Sequence, residues 1–204
     1  MTTRPGARCF PGTVWEEEQQ PLGVVPVQGR GSLPFALVHG ESLVAAATWA
    51  LVAAEVEILD AATPVEELRG CSRIVVVHDP LCPLTPVAFI EEAVTLCQQS
   101  AAVVVGVRPV TDTVKRLEGQ VGREHVGATL PREELLSIAS PVALPPAAVA
   151  GLGTLEEIED LSAWVARLAE TYPVRFLQAP PLARRILDPE DLAVLEALSR
   201  SSAT

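Results

Sequence analysis

From Gly23 onward the chain alternates short β-branched runs with longer helical ones, the pattern of helices laid over a mostly parallel sheet. Ile74-Val75-Val76-Val77 is the clearest run. It has no polar position, so it predicts a central strand buried on both faces. Val24-Val25-Pro26-Val27 predicts a first strand, Val56 to Leu59 a short one, Ala102 to Val107 another buried one and Val174 to Leu177 the last. Between them the spacing predicts helices over Ser42 to Ala54, Val87 to Gln99 and Leu155 to Glu170, the last with an acidic first turn suited to the helix dipole. Asp188-Pro189-Glu190-Asp191 predicts a capped start for the final helix.

At 204 residues and 49% hydrophobic content, one domain with a full core is expected. The domain is placed at residues 23–204, after a polar N-terminal arm over residues 1–22 that lacks the apolar core of a secretory signal. Between Pro109 and Pro146 the pattern becomes irregular and rich in Gly, Thr and Pro. This predicts a β-arm of about 109–146 leaving the main sheet.

Charge and cysteine usage narrow the function classes. The formal net charge is -11, and Lys115 is the only lysine. Such a field repels a polyanion, which argues against nucleic acid as a partner. The longest uncharged apolar stretch, Ser42 to Ala54, is too short to span a bilayer, so no membrane contact is expected. Cys9, Cys71, Cys82 and Cys97 form no CxxC pair, and the three histidines do not fall at zinc-ligand spacing around them. Reduced thiols in a cytoplasmic protein are the expectation.

The segment VVVHDPLCPLTPVAFIEEAV, followed by VVVGVRPVTDTVKRLEG, resembles the 2-C-methyl-D-erythritol 4-phosphate cytidylyltransferases. That family carries a strand ending in His-Asp-Ala-Ala-Arg-Pro, a helix, and a strand running into Pro-Val-x-Asp-Thr-x-Lys-Arg. The second motif stands intact as Pro109-Val110-Thr111-Asp112-Thr113-Val114-Lys115-Arg116. Leu130 to Pro145 is similar to a further family stretch, placing Arg132 on its arginine and Ser140-Pro141 on its Thr-Pro. Val174-Arg175-Phe176 through Pro189-Glu190-Asp191-Leu192 resembles its C-terminal portion. The resemblance implies an α/β fold: a mostly parallel, Rossmann-like nucleotidyltransferase sheet flanked by helices, with a protruding β-arm that makes a homodimer.

The family reaction displaces pyrophosphate from CTP by a sugar phosphate with help from Mg²⁺, so the protein must supply cations, N–H groups and a metal. The resemblance assigns Thr113, Lys115, Arg116, Arg132 and Ser140 to substrate binding. It places Gly29, Arg30 and Gly31 at the nucleotide, and Asp79 and Arg185 in the catalytic set, Asp79 facing a metal or a sugar hydroxyl. The bland reading of the arm residues is a turn stabilised by Asp112 and Thr113 with solvated charges at Lys115 and Arg116. His78 reads as a packed strand-end residue and Cys82 as a small buried side chain.

Much of the family's basic equipment is missing. Its Pro-Lys near the glycine loop is Pro34-Phe35, its His-Asp-turn arginine is Cys82, and no cytidine-recognition run lies between Ala53 and Ser72. Arg30 lies between the glycines, not after them, and so does not inherit the family arginine's role. Arg185 stands where a catalytic lysine would be, and a guanidinium does not replace an ammonium freely. Removing one preorganised donor typically costs about 3 kcal/mol in transition-state stabilisation. Two readings stay open: a catalytically impaired homologue acting by binding or dimerisation, with itself or with an active family member, and an active, diverged nucleotidyltransferase. Phe35 filling the space above Asp79 would argue for the first.

Overall fold

The structure is a computed structural model that describes residues 20–59, 65–153 and 158–202. Most of the predicted N-terminal arm therefore lies outside the described residues, as does the predicted helix start at residues 155–157.

The described chain opens with β1 (Leu22–Val24), a glycine loop, the short hairpin β2 (Leu37–Val38) and β3 (Glu41–Ser42), and α1 (Leu43–Ala53). Then come β4 (Glu57–Ile58), α2 (Val65–Arg69), β5 (Val75–Val77), α3 (Val87–Ser100) and β6 (Val103–Pro109). The second half runs β7 (Val114–Glu118), β8 (His125–Leu130), β9 (Leu136–Leu144), α4 (Pro146–Ala150), α5 (Leu161–Thr171), β10 (Val174–Gln178) and α6 (Pro189–Ser202). Six strands form the central sheet in the order β10-β6-β9-β5-β1-β4. All pairs are parallel except those of β9, which runs antiparallel between β5 and β6.

Strand periodicity assigns the two cores. Val75, Val77, Val103, Val105, Val142 and Leu144 point to one face, against Trp164, Val165 and Leu168 of α5 and Val149 of α4. Val76, Val104 and Ala143 point to the other, against Leu51 of α1 and Ile90, Val94 and Cys97 of α3. The uninterrupted valine runs follow from this double burial. Their burial contributes roughly 1.5–3 kcal/mol for each large side chain.

The arm is narrower than the sequence indicates. Within residues 109–146, the strands of the separate hairpin β7–β8 stand outside the central sheet. Leu136–Leu144 returns as a central strand whose last six residues are buried. Pro141 argues against such an assignment, because a proline cannot donate to a ladder. The fold accommodates it where the β6–β9 register shifts between Val105 and Val107. Gly106 lies there, and a Cβ on it would sit 3.2 Å from the Ser140 backbone and 3.3 Å from Phe89.

Helix ends follow the expected capping chemistry with one shift. Asp188 Oδ1 accepts from the N–H groups of Glu190 and Asp191 at 2.9 and 3.0 Å. α5 starts at Leu161, with Asp160 Oδ1 accepting from Ser162 and Ala163 at 3.0 Å. Glu159 and Asp160 thus precede this helix, while Glu156 and Glu157 lie outside the described residues.

Candidate functional site

Parallel strands β1 and β5 lie side by side, so the loops leaving their C-terminal ends meet above the sheet. Open α/β sheets bind ligands in such a crevice. The loop after β1 carries Gly29, Arg30 and Gly31, and β5 runs directly into His78 and Asp79.

Asp79 is the centre of the arrangement, with a fully buried side chain. Its Oδ1 accepts from Arg30 Nε at 2.9 Å and from the Leu81 N–H at 3.0 Å. Its Oδ2 accepts from Arg185 Nε at 3.0 Å. Arg30 is buried too, and its remaining nitrogens donate to Gln28 O at 2.7 Å and Ile158 O at 3.4 Å. Arg185 remains one-third exposed, and its segment is fixed by the Ile186 N–H donating to Leu81 O at 2.7 Å. Burial alone would raise the Asp79 pKa. The Arg30 and Arg185 guanidiniums and the Leu81 N–H outweigh it and hold the carboxyl below the ordinary carboxylate range.

Beneath this ion triad is a neutral polar layer. Ser140 Oγ accepts from the Asp79 N–H at 2.8 Å and lies 2.6 Å from His78 Nδ1. Burial lowers the His78 pKa to about 4, against the smaller opposing pull of Asp79. The ring is therefore neutral at pH 7, and its Nε2 has no hydrogen-bond partner among the described residues. Burial pushes the Cys82 thiol upward, and Asp79 adds to it. Cys82 is a buried, unreactive side chain, as its sequence context indicates.

Beside the triad opens a cleft of about 850 Å³. One wall is the base of the arm, with Arg108, Thr111, Asp112 and Ser137. Gly29, Glu159, Asp160, Ser162, Arg184 and Arg185 also line the cleft. Gly29 has φ +72°, and the Glu159 side chain packs so closely that an added Cβ would lie 1.8 Å from its Cγ. The cationic lining is tied up: Arg108 donates to Pro180 O at 2.8 Å, and Arg184 pairs with Asp191. Phe35 is 61% exposed and does not fill the space above Asp79. Arg30 occupies that position instead.

The structure brings some of the predicted site residues together and leaves others apart. Asp79, Arg30 and Arg185 meet directly; Gly29 lines the cleft; Ser140 lies under the triad, bonded to protein groups. Thr113, Lys115, Arg116 and Arg132 lie apart from the triad on and beside the exposed hairpin, and Gly31 faces open space. Lys115 Nζ donates to Thr129 Oγ1 at 2.5 Å, and Arg132 Nη1 to Thr111 O at 3.0 Å. Arg108, Arg184, Glu159 and Asp160 were not legible as cleft residues. The adjacent pair Arg184-Arg185 was the one available signal.

A divalent metal does not fit this arrangement. Both Asp79 oxygens face guanidinium groups, whose charge opposes a cation. Among the described residues no cluster of three or more His, Cys, Asp or Glu side chains could hold one.

The fold and the cleft at the strand ends define an α/β protein of nucleotidyltransferase architecture with a β-hairpin arm. The chain belongs to the IspD family, 2-C-methyl-D-erythritol 4-phosphate cytidylyltransferase, whose family model matches residues 50–200. It is 27% identical over 172 residues to a protein of that name from Corynebacterium diphtheriae, covering 82% of this chain and 64% of the relative. It is 34% identical over 128 residues to one from Halalkalibacterium halodurans, covering 61% and 54%. A bifunctional IspD/IspF enzyme from Solidesulfovibrio magneticus is 30% identical over 128 residues, covering 61% of this chain and 30% of that one. The matched segments thus span between about a third and two thirds of these relatives' lengths.

Among solved structures, the Thermus thermophilus cytidylyltransferase superposes with TM-score 0.60 at 24% identity, over 89% of this chain and 98% of that one. The Anaerococcus prevotii 4-diphosphocytidyl-2C-methyl-D-erythritol synthase gives 0.64 at 14% identity, over 90% and 97%. Both share the fold. No helix among the described residues is long and apolar enough to cross a membrane.

Proposed function

We propose that this chain is a cytoplasmic IspD-family protein of the methylerythritol phosphate pathway in which cytidylyl transfer is impaired, and which acts by binding and dimerisation. The observation carrying this reading is the Arg30–Asp79–Arg185 triad. Transfer from CTP requires free cations or a metal to hold three linked phosphates and the charge developing at the α-phosphate. Two of the basic groups nearest the crevice neutralise Asp79 instead, and the carboxylate itself is unsuited to a metal.

The arm supports the binding role. Lys115, Arg116 and Arg132 are exposed on and beside the hairpin, with Thr113 near its base. Leu117 and Val126 face each other across it, each 70% exposed. A homodimer formed through this apolar pair would bring the arm's cations to the partner's cleft, where they would bind a polyol phosphate. Pairing with an active family member would use the same surface.

The second reading is a diverged, active nucleotidyltransferase using Asp79, Arg30 and Arg185 in rearranged roles. It is favoured by the open, arginine-lined cleft. Calorimetric titration separates the two. The first expects binding of methylerythritol phosphate or a similar polyol phosphate and no binding of CTP with Mg²⁺; micromolar CTP affinity would overturn it.

A further inference from the structure

Asp79 is surrounded by the donors that a phosphate group would use: two guanidinium Nε–H groups and a backbone N–H, all within 3.0 Å of its oxygens. The carboxylate is buried, one arginine is buried with it, and the other reaches the cleft wall. Two cations around one anion leave a local excess of one positive charge. We infer that Asp79 is a built-in counter-anion, an autoinhibitory contact filling an anion seat formed by Arg30, Arg185 and the Leu81 N–H. The ligand class this seat excludes is a phosphate or pyrophosphate group entering along Arg185.

This inference rests on the reading of the wild-type crevice as closed to triphosphates, and it adds the cause. The glycine loop closes the seat as well as the carboxylate does. Arg30 reaches Asp79 while also donating to Gln28 O and Ile158 O, so one side chain ties the loop after β1 to the strand-end turn and to the segment before α5. An entering anion has to displace a carboxylate already held by three donors, and has no such competitor once the carboxylate is gone.

The test is calorimetric titration of inorganic pyrophosphate, at fixed ionic strength, into the wild-type chain and Asp79→Asn. The variant is expected to bind at least about tenfold more tightly, a modest part of the coupling energies measured for close charge pairs. Arg185→Gln added to Asp79→Asn is expected to abolish the gain while leaving any weak binding by the arm. Asp79→Asn leaves a buried guanidinium without its counter-charge, so Arg30→Gln/Asp79→Asn serves as the neutral companion. It retains Arg185 without a competing carboxylate and is expected to bind pyrophosphate more tightly than wild type, though less than Asp79→Asn. Equal affinity of wild type and either folded variant overturns the inference. Tight CTP binding by wild type would refute the proposed function, a separate result from a separate titration.

Discussion

Replacing Arg30 by methionine keeps an unbranched apolar stem and removes the guanidinium with its charge, leaving Asp79 buried with Arg185 and one backbone N–H. The Arg30 and Asp79 side chains are 2% and 0% exposed, so solvent screens the pair little. Removing one partner of a buried ion pair costs about 3–5 kcal/mol. Because Arg185 still compensates the carboxylate, the lower end is expected, about 3 kcal/mol. For a chain of this size that corresponds to a fall of roughly 6–12 °C in Tm. The assay is thermal and urea unfolding of wild type, Arg30→Met, Asp79→Asn and the double variant, analysed as a cycle. The double variant removes both charges of the pair, so it is expected to be more stable than the sum of the single losses implies, by at least about 1 kcal/mol. Acid titration provides an independent check. Because Asp79 is depressed below its unfolded value, its contribution is complete above about pH 4 and is lost as pH falls through the folded pKa. Arg30→Met within 2 °C of wild type, or strict additivity in the cycle, would refute the assignment of Arg30 as the partner that holds Asp79.

His78 carries a second pH signature. Its folded pKa of about 4 lies below the unfolded 6.5, so the unfolded chain binds the extra proton first, and stability falls as pH drops between these values. The loss is about 3 kcal/mol, and His78→Gln is expected to flatten that limb in urea unfolding across pH 4 to 7. Ser140→Ala removes the acceptor of the Asp79 N–H and the partner of His78 Nδ1, both buried. It is expected to cost about 2–3 kcal/mol in the same assay, and a neutral result would show that water replaces the hydroxyl.

The inner parallel strands were legible because they are buried on two faces. A run such as Val75-Val76-Val77 has no amphipathic alternative, and the helix between Val87 and Ser100 follows it with a clear period. β9 was hidden because Ser140-Pro141 breaks the expected donor pattern. Only tertiary pairing, with the register shift beside Gly106, makes that segment a central strand. The apolar Ile138, Ala139, Val142 and Leu144 were its visible trace.

At the site, Asp79 was readable from its place at the end of a strand. Its partners were not, because the contacts join residues 49 and 106 positions away in the chain. Spacing along the chain carries no information on such pairs. Whether Phe35 fills the space above Asp79 was left open by the sequence. In the fold its side chain points outward and is mostly exposed, while Arg30 turns inward to satisfy a carboxylate that burial would otherwise leave costly. Asp79 thus takes up two of the cations at the crevice.

Steady-state pyrophosphate release from CTP, with methylerythritol phosphate and Mg²⁺ both present and an active family enzyme run in parallel, tests that central claim most directly. The purified chain is expected to show no turnover above the enzyme-free background. Sustained release that depends on both substrates and disappears in Arg185→Gln would contradict it, because Arg185 would then be acting on phosphate and not solely on Asp79.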